Sequence, residues 1–203
     1  MVYVATYFEV QPRSAEPAAT LVTKYVEDAR RESGNLRADP FREIGRSNRF
    51  VVIEHWAGEA SFAAHEEAAS TRAFREELGR IEHSPFDQRV NTAFEVDSRP
   101  IDLARDAVLV VTHVDVPGNR REDTEQLLRS LAVASRAGAG NVRYDVYQQL
   151  APRTNHFTVF AAWSDASALE TDGLSQHWLQ FRKALAPMLG APYDERLYQR
   201  LMR

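Results

Sequence analysis

The sequence predicts an α+β protein. Two tandem copies of a β-α-β-β-α-β unit pack sheet to sheet and form a barrel within one chain. Three observations lead there. The stretch GNLRADPF at residues 34–41 returns as GNVRYDVY at 140–147. At that offset of 106, Val4, Thr6 and Val10 meet Val110, Thr112 and Val116; one inserted residue near Thr154 moves the offset to 107, where Asn48, Phe50, Val52 and Trp56 meet Asn155, Phe157, Val159 and Trp163. A match that keeps its order through both halves with one gap marks a duplicated domain, and its period is too long for a solenoid repeat. The second observation is that hydrophobic periodicity alternates between strand and helix spacing in the same order in each copy. The third is that the first strand carries Tyr3, Ala5 and Tyr7 on the side its helices cannot cover. A second sheet of the same kind would shield it.

The elements follow in order. VYVATYFEV alternates, with Val2, Val4, Thr6, Phe8 and Val10 on one face, and Pro12 ends the strand. Leu21, Val22, Tyr25, Val26 and Ala29 then form one face of an amphipathic helix, repeated by Leu127, Leu128, Leu131 and Ala132. Gly34 and Gly140 read as helix-terminating glycines. NLRADPFREI and RFVVIEHW are two strands joined by a turn through Ser47 and Asn48. A second helical region follows with Phe62, His65, Ala69, Phe74 and Leu78, and FDQRVNTAFEV closes the copy as its fourth strand. This is the ferredoxin-like order. The boundaries expected are a first domain at 1–96, a polar linker at 97–107 containing Pro100, and a second domain at 108–203.

Composition narrows the function. Hydrophobic residues are 44% and charged residues 27%, enough for a packed core. A net charge of −4 gives no basic footprint for nucleic acid. Cysteine is absent, which removes disulfides, thiolate metal sites and a cysteine nucleophile. MVYVATYFEV reads as a strand rather than a signal peptide, and no apolar run reaches the roughly 18 residues of a membrane span. A soluble, cytoplasmic protein without nucleic-acid or membrane partners is expected. The six histidines lack zinc spacing, GAGN is followed by no Lys-Ser/Thr, and there is no GxSxG elbow.

The strings GNLRAD and GNVRYDVY, then NRFVVIEHW with a histidine nine positions after the tryptophan, and DGLSQHWLQF in the second copy, resemble the antibiotic biosynthesis monooxygenase family. The resemblance covers nearly the whole chain, twice. It implies a dimeric α+β barrel fold, here supplied as an intrachain pseudo-dimer, with further homodimerisation left open. It also implies a cofactor-independent monooxygenase, needing no metal or flavin, that oxidises an electron-rich aromatic of quinol, anthrone or naphthol type with O₂. Two alternatives stand beside it: a non-catalytic small-molecule binding or pathway-accessory protein, and a haem-binding or haem-degrading one.

Under the resemblance, Trp56 and Trp163 are ring walls and donors, and His65 and His177 are proton acceptors or anion stabilisers; each has a structural reading as core tryptophan or bonded helix histidine. The copies differ, since Asp172 stands opposite His65 and Ser70 opposite His177. Thr6, Thr112, Phe41, Tyr147, Phe74 and Phe181 are assigned to substrate contact. Haem-degrading relatives carry Asn where Thr6 and Thr112 stand, whereas His65 occupies their axial-ligand position. His113 is read as core. Arg37 with Asp39 and Arg143 with Asp145 are expected to form cross-strand or inter-sheet salt bridges.

Overall fold

A computed structural model describes residues 1–100 and 103–201. Its strands are β1 Val2–Glu9, β2 Asn35–Glu43, β3 Arg49–Trp56, β4 Asp87–Glu95, β5 Val108–Asp115, β6 Asn141–Gln149, β7 His156–Trp163 and β8 Asp194–Arg200. Its α-helices are α1 Ala15–Ala29, α2 Glu59–Glu66, α3 Ala69–Gly79, α4 Arg121–Arg136, α5 Ala166–Gly173 and α6 Gln176–Leu185. Hydrogen bonding orders the strands β1-β3-β2-β8-β5-β7-β6-β4 and closes them as an eight-stranded antiparallel barrel. The α+β duplication expected from the repeat is therefore present. Of the expected linker, Ile101 and Asp102 lie outside the described residues, as do Met202 and Arg203 of the second domain.

Two compact units are Met1–Asn91 with the residues from Gln199 onward, and Thr92–Tyr198. In the first, β1 lies between β3 and β4, pairing Thr6 with Val52 and with Gln88, and β2 pairs β3 on the outer side. In the second, β5 lies between β7 and β8, and β6 pairs β7. Both are the ferredoxin-like arrangement. Each unit draws on distant chain. In the first, Leu201 N donates to Pro40 O at 3.0 Å and Arg200 Nη2 to Asp39 Oδ1 at 3.2 Å. In the second, Asp97 N donates to Asp145 Oδ1 at 2.8 Å, and Arg136 Nη1 to Glu95 Oε1 at 2.7 Å.

The helix-side cores follow the sequence periodicity. Val4, Phe8, Val52 and Trp56 of the first sheet pack against Val22, Tyr25, Val26 and Leu78. Val110, Val114, Val159 and Trp163 pack against Leu128, Leu131, Phe181 and Leu185. Tyr3, Ala5 and Tyr7, on the opposite face of β1, are buried as well, so that strand is covered on both sides.

Three local readings change. The second helical region of each copy is two helices. α2 stops at Glu66 and the chain is extended at Ala68 (ψ 144°) before α3; in the second unit the Ser175 side chain accepts from Trp178 N and starts α6 afresh. The conserved-in-copy arginine and aspartate pair within a strand, not across strands. Arg37 Nε donates to Asp39 Oδ2 at 2.6 Å and Arg143 Nε to Asp145 Oδ2 at 2.7 Å. Residues two apart on a strand share a face, which allows this. The repeated glycines do not end the helices, which stop at Ala29 and Arg136 with Arg30 and Ala137 as their caps. Gly34 and Gly140 have φ of +83° and +78°, and a Cβ on either would come within 2.5 Å of Ser61 Cβ or Ala168 Cβ. The glycine thus lets β2 or β6 begin directly beneath the next helix. Gly34→Ala is expected to lower stability by roughly 1–3 kcal/mol, read as a shift in the denaturation midpoint. Gly58→Ala, with nothing within 4 Å of the new methyl, is its control.

Candidate functional site

A half-open cavity of the second unit lies between its sheet and α5–α6. This cavity, of about 170 Å³, is lined by Trp163, Trp178, Tyr144 and Tyr193 around Thr112 and Glu195. Strand alternation explains the floor, because Val110, Thr112, Val159, Ala161 and Trp163 all sit on the helix-facing side. The Trp163 indole N–H is buried without an acceptor. A donor left so in a core asks for a partner. Glu195 is solvent-exposed at the cavity's edge. Burial of its surroundings raises its pKa, and Arg182 and the Tyr193 hydroxyl, which donates to it, pull it back down. Burial likewise raises the Tyr193 phenol, which also meets Thr112. Arg182 lies over the rings of Trp178 and Tyr193, at 5.2 and 4.6 Å from their centroids. The arrangement can hold a flat ring against aromatic walls, donate to an oxygen, and accept a proton at the mouth.

The first unit fills the inner part of the matching space and keeps an open cleft of about 460 Å³ at the mouth, beside Glu66, Arg75, Phe86 and Gln88. Counting 107 positions back, Ala161 corresponds to Glu54 and Gly173 to Glu66; 106 back, Leu131 corresponds to Tyr25. Glu54 is fully buried on the helix-facing side of β3. The Tyr25 hydroxyl is 3.3 Å from both its oxygens and 2.8 Å from His65 Nε2. His65 Nδ1 is 2.9 Å from Glu32 Oε2, and Thr71 Oγ1 is 3.3 Å from the same nitrogen. The Tyr25 hydroxyl donates toward Glu54 and also lies within hydrogen-bond reach of His65 Nε2, so one phenol sits between two acceptors. Burial pushes Glu54 up to about 8, with Glu66 and Glu32 adding to the effect and the Tyr25 hydrogen bond opposing it. Burial raises Tyr25 too.

The residues assigned from sequence separate accordingly. Trp163 and Thr112 line the second unit's cavity. His65 packs on Trp56 with centroids 4.5 Å apart, and Phe74 stacks on Tyr25 at 4.2 Å, so these belong to the first unit's polar core. The Trp56 indole N–H and the Thr6 hydroxyl are buried without partners. His65 has both ring nitrogens engaged and its side chain fully buried. His177, about a third exposed, is outside the cavity lining; its Nε2 lies 3.1 Å from Asp172 Oδ1, 3.1 Å from Ser175 Oγ and 3.3 Å from Ser135 Oγ. Serine and aspartate meeting the same nitrogen is not the geometry of a catalytic triad, which uses both. Phe181 packs on Trp178 beyond the lining. Phe41 and Tyr147 occupy the sheet faces turned away from the helices, Tyr147 donating to Asp145 Oδ2 at 2.9 Å. His113 is buried near Thr158, as a core residue.

Sequence reasoning missed Glu54, Trp178, Tyr193 and Glu195. Glu54 carried a signal: in RFVVIEHW it is a charge on the apolar side of a strand, between Val52 and Trp56. Glu195 carried none, since APYDERL reads as an ordinary polar edge strand.

Comparison with known proteins agrees with the repeat. The profile described as "Antibiotic biosynthesis monooxygenase" matches residues 1–77 and again 107–184. The curated "Putative monooxygenase YcnE" of Bacillus subtilis (strain 168) is 30% identical over 87 residues, covering 43% of this chain and 92% of that protein. A crystal structure of a "Putative monooxygenase" from Fusobacterium nucleatum subsp. nucleatum ATCC 25586 superposes with a TM-score of 0.86 at 13% identity, over 99% of this chain and 92% of that one. An "anthrone oxidase-like protein" superposes at 0.77 and 14% identity, over 98% and 90%. At such identities the two structures speak to the fold alone. With both halves matched over most of their length, the chain belongs to the antibiotic biosynthesis monooxygenase family.

Proposed function

We propose that the protein is a cofactor-independent monooxygenase that converts an electron-rich phenol of quinol or naphthol type into a quinone, in the cavity of its second unit. The observation that carries this is a half-open aromatic cavity with an orphaned N–H in its wall and a carboxylate at its mouth. Cavity size refines the substrate. About 170 Å³ suits one or two fused rings better than a three-ring anthrone, given that a cavity near 150 Å³ takes up benzene.

Glu195 accepts the substrate's hydroxyl proton, and the Tyr193 hydroxyl holds that carboxylate in place. The phenolate then passes one electron to O₂, and the resulting radical pair joins at a ring carbon as a peroxide. Transfer of the proton on that carbon to the distal oxygen, with cleavage of O–O and departure of that oxygen as hydroxide, gives the quinone. Hydroxide takes up the proton held by Glu195 and leaves as water. The substrate supplies all four electrons, so one oxygen atom enters the ring, the other becomes water, and no external reductant is consumed. Trp163 N–H donates to the substrate oxygen where charge develops, and the aromatic wall keeps water from the intermediates.

Oxygen uptake with 1-naphthol and substituted hydroquinones, without added flavin or metal, tests the reading. Uptake is expected, and Trp163→Phe should lower kcat/KM roughly 10- to 100-fold. If no member of the panel consumes O₂, a non-catalytic binding role takes its place.

A further inference from the structure

The two units build related mouths that differ at three positions, with Gly173, Tyr193 and Glu195 in the second unit where Glu66, Phe86 and Gln88 stand in the first. In the first unit, Arg75 lies over the Phe86 ring at 5.3 Å, and Glu66 sets its carboxylate oxygens 2.6 and 2.7 Å from Arg75 Nη2 while Gln88 Nε2 donates to Glu66 Oε1 at 3.3 Å. At the same positions the second unit has Arg182 over Tyr193, and Gly173 where Glu66 stands. Gly173 does not owe its place to the backbone, because the positive-φ glycines are Gly34, Gly45 and Gly140. A Cβ on Gly173 would meet no atom within 4 Å, and the residue lines the cavity. The second unit therefore keeps the guanidinium on its aromatic shelf, loses the carboxylate at the Glu66 position and carries one instead at the Gln88 position, on the strand. Among the described residues no carboxylate oxygen lies within 4 Å of the Arg182 guanidinium; Glu195 feels its charge without direct contact and has its own donor in the Tyr193 hydroxyl.

We infer that the ligand of this cavity is an aromatic acid, with its ring among Trp163, Trp178 and Tyr193 and its carboxylate paired with Arg182 where Glu66 pairs with Arg75 in the first unit. The inference rests on the reading of the cavity as a substrate site and names the substrate's second functional group. Planar guanidinium stacked on aromatic faces presents its N–H fork to a carboxylate already oriented, which makes the pair directional as well as attractive.

Calorimetric titration of the full chain with 1-hydroxy-2-naphthoate and with 1-naphthol tests it, since the two probes differ only in the carboxylate. The naphthoate is expected to bind about tenfold more tightly. Arg182→Gln should narrow that ratio to below about twofold, and Arg182→Lys should restore part of it. Gly173→Glu, which returns the carboxylate of the first unit to the second, should block the naphthoate. Equal affinity for the two probes, an unchanged ratio in Arg182→Gln, or no binding of either overturns the inference. Oxygen uptake measured in parallel keeps the two readings apart. Arg182-dependent preference for the acid without O₂ consumption supports the inference and sinks the catalytic reading. Turnover of both probes with no preference does the reverse.

Discussion

At pH 8, Glu54→Gln is expected to be more stable than the parent chain by up to about 5 kcal/mol, and at pH 5 the two should nearly coincide. The cause is the fully buried carboxyl beside Tyr25 and His65. Its folded pKa of about 8 lies above its ordinary value of 4.5. From pH 4.5 to 8 the unfolded chain has lost this proton while the folded chain retains it. The folded state then binds more protons, and stability falls as pH rises through that window. Below 4.5 the contribution is fully present, and above 8 it has been lost. Glutamine cannot ionise, yet its amide oxygen accepts from the Tyr25 hydroxyl as the carboxyl oxygen does, so the variant keeps the contact and loses the slope. Urea denaturation at a series of pH values reads this directly. Parallel slopes in parent and variant between pH 5 and 8 would show that another group carries the dependence.

Glu195→Gln should lower kcat by roughly two to four orders of magnitude if that carboxylate is the proton acceptor. The pH profile gives an independent check. A base must be ionised to act, so activity rises as pH passes upward through its pKa, and the raised pKa of Glu195 moves that limb above the range of an ordinary carboxylate. Tyr193→Phe removes the donor that favours the ionised form, and the limb should move further up. A profile that stays put in Tyr193→Phe, or turnover retained in Glu195→Gln, would move the acceptor elsewhere.

The fold was legible because its signals are periodic and were written twice. GNLRAD and GNVRYD, the alternation of VYVATYFEV, and Tyr3 and Tyr7 on the uncovered side of β1 are each local patterns with a forced geometric outcome. The site was only partly legible. Trp163 and Thr112 line the cavity as their position on the helix-facing side required. His65 and His177 drew attention as titratable residues on helices, but a histidine's role depends on what packs against it. Glu32, Tyr25 and Glu54 converge on His65 from three elements, and no sequence spacing joins them. The cavity was hidden for a related reason. It is made by small residues, Ala161 and Gly173, and only the twin, with glutamates at those positions, shows what they leave out. Comparing the copies for size as well as for polarity would have pointed to it.

The closing contacts of the first unit bear on how the polypeptide matures. Asp39 takes a guanidinium from a residue 161 positions downstream, and Pro40 takes the N–H of the next one. On the ribosome the N-terminal half emerges long before those partners exist, so it must wait, with these groups of β2 unmatched, until Arg200 and Leu201 have been added. Severing the gene at its midpoint would leave those groups bare in the leading fragment, and restoring the tail as a separate peptide should cover them.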